Sequence, residues 1–163
     1  ANNPSFAAKK RYDEGNFEEA ATLYKEAVEK ETDPEKKAQY YFALASIQFR
    51  KLDNYNDARE SARKASELRP DWGRPYMLIG DMYATSSRNC GDAWNQRLAV
   101  LAAIDKYAKA KAVDSEFNQE ASSRIAKYSA SRPEKGDAFM RGFTDGSTAK
   151  VGCWIGETVT LNF

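Results

Sequence analysis

The sequence predicts an all-α fold of helical hairpins stacked in an array, closed by a small β tail. Three observations carry that expectation. Small residues mark equivalent positions along the chain: Ala20, Ala58 and Ala103 stand 38 and then 45 residues apart. Between them, apolar side chains return every three or four residues, the spacing of a helix with one buried face. Near Pro133 the composition changes, because five of the nine glycines fall in the last 28 residues and no Tyr follows Tyr128. These observations divide the chain into a helical body over 1–132 and a Gly-rich tail over 133–163.

Taken in order, helices are expected at 4–14, 17–31, 35–52, 55–68, 73–86 and 92–113. A seventh is expected at 117–131, where Phe117, Ala121, Ile125 and Tyr128 share one face. Asp33-Pro34 reads as a helix start, with proline in the first turn where its missing N–H costs nothing. Asp71 and Asp92 are candidate caps for the helices that follow them. Arg132-Pro133 stops the seventh helix, since the residue before proline is pushed out of the α region. In the tail, Asp145-Gly146 is a turn signal. The alternation of Val151, Cys153 and Ile155, then of Val159, Leu161 and Phe163, reads as a small hairpin.

The repeated unit spans Gly15-Asn16-Phe17-Glu18-Glu19-Ala20, Tyr24 and Ala27. It returns as Asp53, Tyr55, Ala58, Ala62 and Ala65, and again as Tyr76, Gly80, Ala103, Tyr107 and Ala110. Antiparallel helices approach closely only where small side chains meet, and aromatics fill the gaps between successive pairs. A single pair leaves an apolar face open, so neighbours must stack. In these positions the sequence resembles the tetratricopeptide repeat (TPR) family, whose period is about 34 residues. The resemblance implies three repeats at about 3–34, 37–70 and 73–115, with the surplus length in loops at 32–35 and 85–95. The helix at 117–131 would cap the array. Asp53 stands where the family has a turn glycine, and Ser115 where it has a closing proline. Asn2-Asn3-Pro4 resembles the turn that closes a preceding repeat, so the chain reads as cut from a longer array; the alternative is a mature N-terminus.

The Asn-Cys-Gly loop at 89–91, the helix around Ala103-Ile104-Asp105-Lys106-Tyr107 and the terminal Cys153-Trp154-Ile155 segment resemble a group of bacterial, envelope-associated TPR proteins with a C-terminal Cys-Trp-Ile strand. Cys90 and Cys153 either pair as a staple between two irregular segments or remain independent reduced thiols. A disulfide would favour the periplasm or cell envelope; reduced thiols would favour the cytoplasm.

The chemistry that the composition excludes is broad. With 25 basic and 24 acidic residues, the chain lacks the charge excess that would suit nucleic acid or an anionic membrane surface. No apolar run reaches the roughly 18–20 residues that span a bilayer. No histidine is present, which removes imidazole bases and ligands, and two cysteines are too few for a four-ligand zinc site. Acidic pairs such as Glu18/Glu19 lie beside lysines, as on solvated helix faces. Gly142–Thr148 lacks the Gly-Lys step of a phosphate loop. Neither catalysis nor a cofactor or metal is expected.

The resemblance places function in a concave groove lined by the first helix of each repeat. Projected on this chain, that groove comprises Lys9, Tyr12 and Asp13, then Tyr40, Ala43, Ile47 and Arg50, then Arg74, Met77 and Asp81. Aromatic, aliphatic and basic groups together suit a peptide or protein partner with apolar anchors and an acidic group. The rival expectation is that Tyr12 and Tyr40 serve only to pack helices, in a structural module of a larger envelope protein. The two-carboxylate clamp of chaperone-binding TPRs would need a lysine where this chain has Ser5, asparagines where it has Lys9 and Leu44, and an arginine where it has Leu78; only Arg74 keeps the expected basic residue. Heat-shock chaperone tails are therefore not expected as partners.

Overall fold

The computed structural model describes residues 3–163; Asn2, part of the closing-turn motif, lies outside the described residues. Those residues form eight α-helices: α1 (Pro4–Asp13), α2 (Phe17–Lys30), α3 (Pro34–Arg50), α4 (Tyr55–Leu68), α5 (Arg74–Ser86), α6 (Ala93–Val113), α7 (Asn118–Ser129) and α8 (Lys135–Met140). One antiparallel pair of strands, β1 (Thr148–Lys150) and β2 (Thr158–Thr160), follows near the C-terminus. The chain condenses into two compact units, one ending at Leu78 and the other running Ile79–Phe163, so the division falls inside α5. The Gly-rich tail thus belongs to the same unit as α6 and α7.

In the first unit, α1 packs on α2, α2 on α3 and α3 on α4. Ala8, Ala20, Ala27, Ala58 and Ala65 lie at the buried faces of these helices, where a larger side chain would hold the helices apart. Around Ala20 and Ala21, the side chains of Leu44 and Ile47 form a core on which Phe17, Tyr24 and Leu52 pack.

The two hairpins are built by the same local devices. At the turn between helices, Gly15 (φ 81°) and Asp53 (φ 50°) both take the left-handed conformation. The next residue is an asparagine in each case. Asn16 Oδ1 accepts from the Glu19 amide at 3.4 Å, and Asn54 Oδ1 accepts from the Asp57 amide at 3.4 Å. Each asparagine also donates through Nδ2, at 2.7 Å, to the carboxylate of that same third residue. This reciprocal arrangement satisfies amide groups that the first helical turn leaves without partners. Asp33 caps α3 through the Lys36 amide, with Pro34 in the first turn.

In the second unit the organising element is α6. Its residues Leu98 to Ile104 are buried without a break, and so are Trp94, Tyr107 and Ala110. A helix enclosed on all sides needs covering elements all round. One cover is α7, where Tyr128 stacks on Tyr107 with ring centroids 6.2 Å apart and Lys111 donates to Ser122 at 2.7 Å. Another is the tail, whose β2 packs on α6. Strand register pairs Ala149 with Val159, and both are buried while the flanking Thr148, Lys150, Thr158 and Thr160 face water. Val151, Ile155 and Leu161 are buried as well.

Two features of the tail depart from the sequence reading. Residues 135–140 form α8, where a strand-like segment was expected beyond Pro133. The Cys153-Trp154-Ile155 segment is a turn between the strands, with Cys153 at φ 55°. Its alternation of residue types reflects burial of Val151 before that turn and of Ile155 at its end.

Candidate functional site

Three helices of the first unit enclose an open hollow of about 320 Å³. From α1 come Lys9, Tyr12 and Asp13, which the spacings of three and four residues place along one helix face. Tyr24 enters from α2, while Phe42, Ala43, Ser46 and Ile47 come from α3. The small side chains of Ala43 and Ser46 leave the space that the surrounding rings enclose.

Ring contacts hold the walls. Tyr12 meets Phe17 edge-on at 5.3 Å, Tyr24 lies 6.4 Å from Tyr40, and Phe42 lies 5.4 Å from Trp72. Burial, reinforced by the nearby Asp13 carboxylate, raises the Tyr24 pKa, so its phenol remains a neutral donor. Cations sit over several of these rings. Lys51 Nζ is 4.9 Å from the centre of Phe17 and 5.8 Å from that of Tyr12. The guanidinium of Arg74 lies 6.0 Å from the centre of Phe42, and that of Arg69 lies 4.8 Å from the centre of Trp72.

Of the residues assigned to the groove from sequence, Lys9, Tyr12, Asp13, Ala43 and Ile47 line this hollow together. Tyr40 stands behind it against Tyr24, and Arg74 reaches its Phe42 wall. Arg50 is exposed at the end of α3, with its guanidinium 5.1 Å from the ring centre of Phe49. Met77 is buried and offers little surface. Asp81 belongs to the second unit and is occupied there: its Oδ1 accepts from the Tyr107 hydroxyl and from Arg124 Nη1, both at 2.6 Å. Burial and the Asp81 carboxylate push the Tyr107 pKa far up. The sequence reading missed Tyr24, Phe42 and Ser46 as lining residues, because it treated the aromatics as gap fillers between helices. It missed Lys51 altogether. For Phe42 and Ser46 the signal was present in the spacing, since they lie one helical interval apart beside Ala43 and Ile47.

In the second unit, Cys90 and Cys153 form a disulfide with Cα atoms 5.1 Å apart. Three polar contacts surround it. Trp154 Nε1 donates to Ser86 Oγ at 2.9 Å, the Tyr83 hydroxyl donates to Glu157, and Lys106 pairs with Glu157 at 3.0 Å. Tyr83 also meets the Trp154 ring edge-on at 5.4 Å. The tail is therefore fastened covalently, by hydrogen bonds and by buried apolar side chains.

Among the described residues, no cluster of Cys, Asp and Glu is arranged to hold a metal ion, and no helix is long and apolar enough to cross a membrane. No protein-family model and no curated protein matches this chain.

Proposed function

We propose that this chain is a non-catalytic TPR scaffold that binds a peptide or protein segment in the groove formed by the first helices of its repeats. The carrying observation is the aromatic-walled hollow between α1, α2 and α3, where five sequence-assigned groove residues meet. The repeat assignment is supported by the matched turns at Gly15 and Asp53 and the matched asparagine caps at Asn16 and Asn54. Leu44 and Leu78 are buried, which supports excluding the chaperone-tail clamp, because neither position offers a polar group to a carboxylate.

The test compares capture by the wild type with capture by the Arg50→Glu/Arg74→Glu variant. A specific protein retained by the wild type and lost by the variant supports the groove reading. Capture that is unchanged by the double charge reversal rejects it.

A second reading is a structural module of a larger cell-envelope protein, without a ligand of its own. The Cys90–Cys153 disulfide favours an oxidising compartment such as the periplasm. Phe6, 76% exposed beside Ala7 and Leu23, leaves an apolar surface on α1 and α2 that suits contact with further protein. Unchanged capture in the experiment above would favour this reading.

A further inference from the structure

Resting on the groove reading, we infer that the hollow takes a single bulky apolar side chain of an extended peptide, and that carboxylates flank that anchor in the peptide. Shape and wall chemistry define the first part. A space of about 320 Å³ walled by Tyr12, Tyr24, Phe42 and Ile47 lies at the small end of ligand pockets and accommodates one large side chain of the leucine, methionine or phenylalanine kind with the backbone beside it. Aromatic walls give such an anchor its contact area with little rotamer entropy to lose.

Charge defines the second part. Lys9 lines the hollow on α1 and Lys51 stands over its Tyr12 wall from the end of α3, so two ammonium groups face the single carboxylate of Asp13 that lines it. Elsewhere on α1 the opposite arrangement holds: Arg11 is satisfied by Glu19 at 2.9 Å and by Glu14 at 3.4 Å. Lys9 and Lys51, by contrast, have no carboxylate within ion-pair distance among the described residues. Lys51 rests on the ring faces of Tyr12 and Phe17, so its charge is held beside the aromatic residues of the hollow. A peptide carboxylate next to the anchor would meet these cations without displacing an existing ion pair of either lysine. A basic peptide would meet them as like charges.

The experiment is selection of short linear peptides from a random display library on the immobilised full chain. Enriched sequences are expected to share one large apolar residue with Asp or Glu within a few positions. A synthetic enriched peptide, followed by fluorescence anisotropy, is expected to bind about tenfold or more weakly to Lys9→Glu/Lys51→Glu, a change of about 1.4 kcal/mol. It is also expected to lose binding to Ala43→Trp, which fills the hollow. Because the bulky replacement could disturb packing, the exposed charge reversal supplies the independent arm. Enrichment of basic or uncharged peptides overturns the inference while leaving a peptide-binding groove in place, as does affinity that is indifferent to both variants. No enrichment at all rejects the groove reading with it.

Discussion

Residues 4–68 and residues 79–163 hold their helices together by different means. The first segment relies on shape: alanines at the faces where α1 to α4 pack, and the same left-handed turn and asparagine cap used twice. The second segment places one thoroughly apolar helix at its centre and wraps it with α7 and the tail. It fastens that wrapping with a disulfide, the Glu157 contacts and the Trp154–Ser86 bond. Stacked hairpins can share their covering between neighbours, whereas an enclosed helix needs its cover tied down. The region without such ties is the one that holds the aromatic-walled hollow.

The largest expected effect comes from removing the staple. A disulfide that closes a loop of 63 residues restricts the unfolded chain by about 4 kcal/mol on chain-entropy grounds. Cys90→Ser/Cys153→Ser should therefore accelerate hydrogen exchange at the α6 amides of 98–104, with the α2 and α3 amides nearly unchanged. Equal acceleration in both regions would break the contrast.

Next is Gly80→Ala. The added Cβ would lie 2.6 Å from Tyr107 Cε1, and Tyr107 cannot swing aside because it is fully buried and bonded to Asp81. Such overpacking costs about 1–3 kcal/mol, measurable by denaturant unfolding. Gly136→Ala meets nothing within 4 Å inside α8, so it should instead be neutral or stabilise by about 0.5–1 kcal/mol.

A smaller effect sharpens the comparison of the two hairpins. Gly15→Ala places a Cβ at φ 81° and should cost about 1 kcal/mol, while Asp53→Gly relieves a side chain at φ 50° and should gain a few tenths. Opposite signs in thermal unfolding would identify one shared turn geometry; equal signs would refute it.

The least effect at neutral pH comes from Tyr107. Its folded pKa lies above the ordinary value of 10.0, so the folded state keeps the proton after the unfolded chain has lost it. Stability from this group is complete below pH 10 and declines as the pH rises beyond it. The alkaline slope of the unfolding free energy should diminish in Tyr107→Phe.

Much of the helical layout was legible in the sequence. The spacing of Ala20 and Ala58, the aromatic residues between them and the Asp33-Pro34 start are local signals, and helix boundaries fall within a residue or two of expectation. The tail was less legible. Val151, Cys153 and Ile155 alternate with Gly152, Trp154 and Gly156 as in a strand, yet Cys153 to Ile155 form a turn, because burial of Val151 and Ile155 can arise from either geometry. Asp81 reads as a groove residue by position, but Tyr107 and Arg124 claim its carboxylate from 26 and 43 residues away. No local pattern announces such partners.

The sequence by itself determined where helices begin, which faces they bury and which turns join them, since caps, turn residues and helical periodicity act over a few neighbours. Tertiary structure alone decided that three helices would leave a hollow at Ala43 and that Lys51 would rest over Tyr12 and Phe17. It also decided that Arg11 would pair with Glu14 and Glu19. Those outcomes depend on side chains converging from distant positions, where volume and Coulomb energy are settled by the packed arrangement and not by local order along the chain.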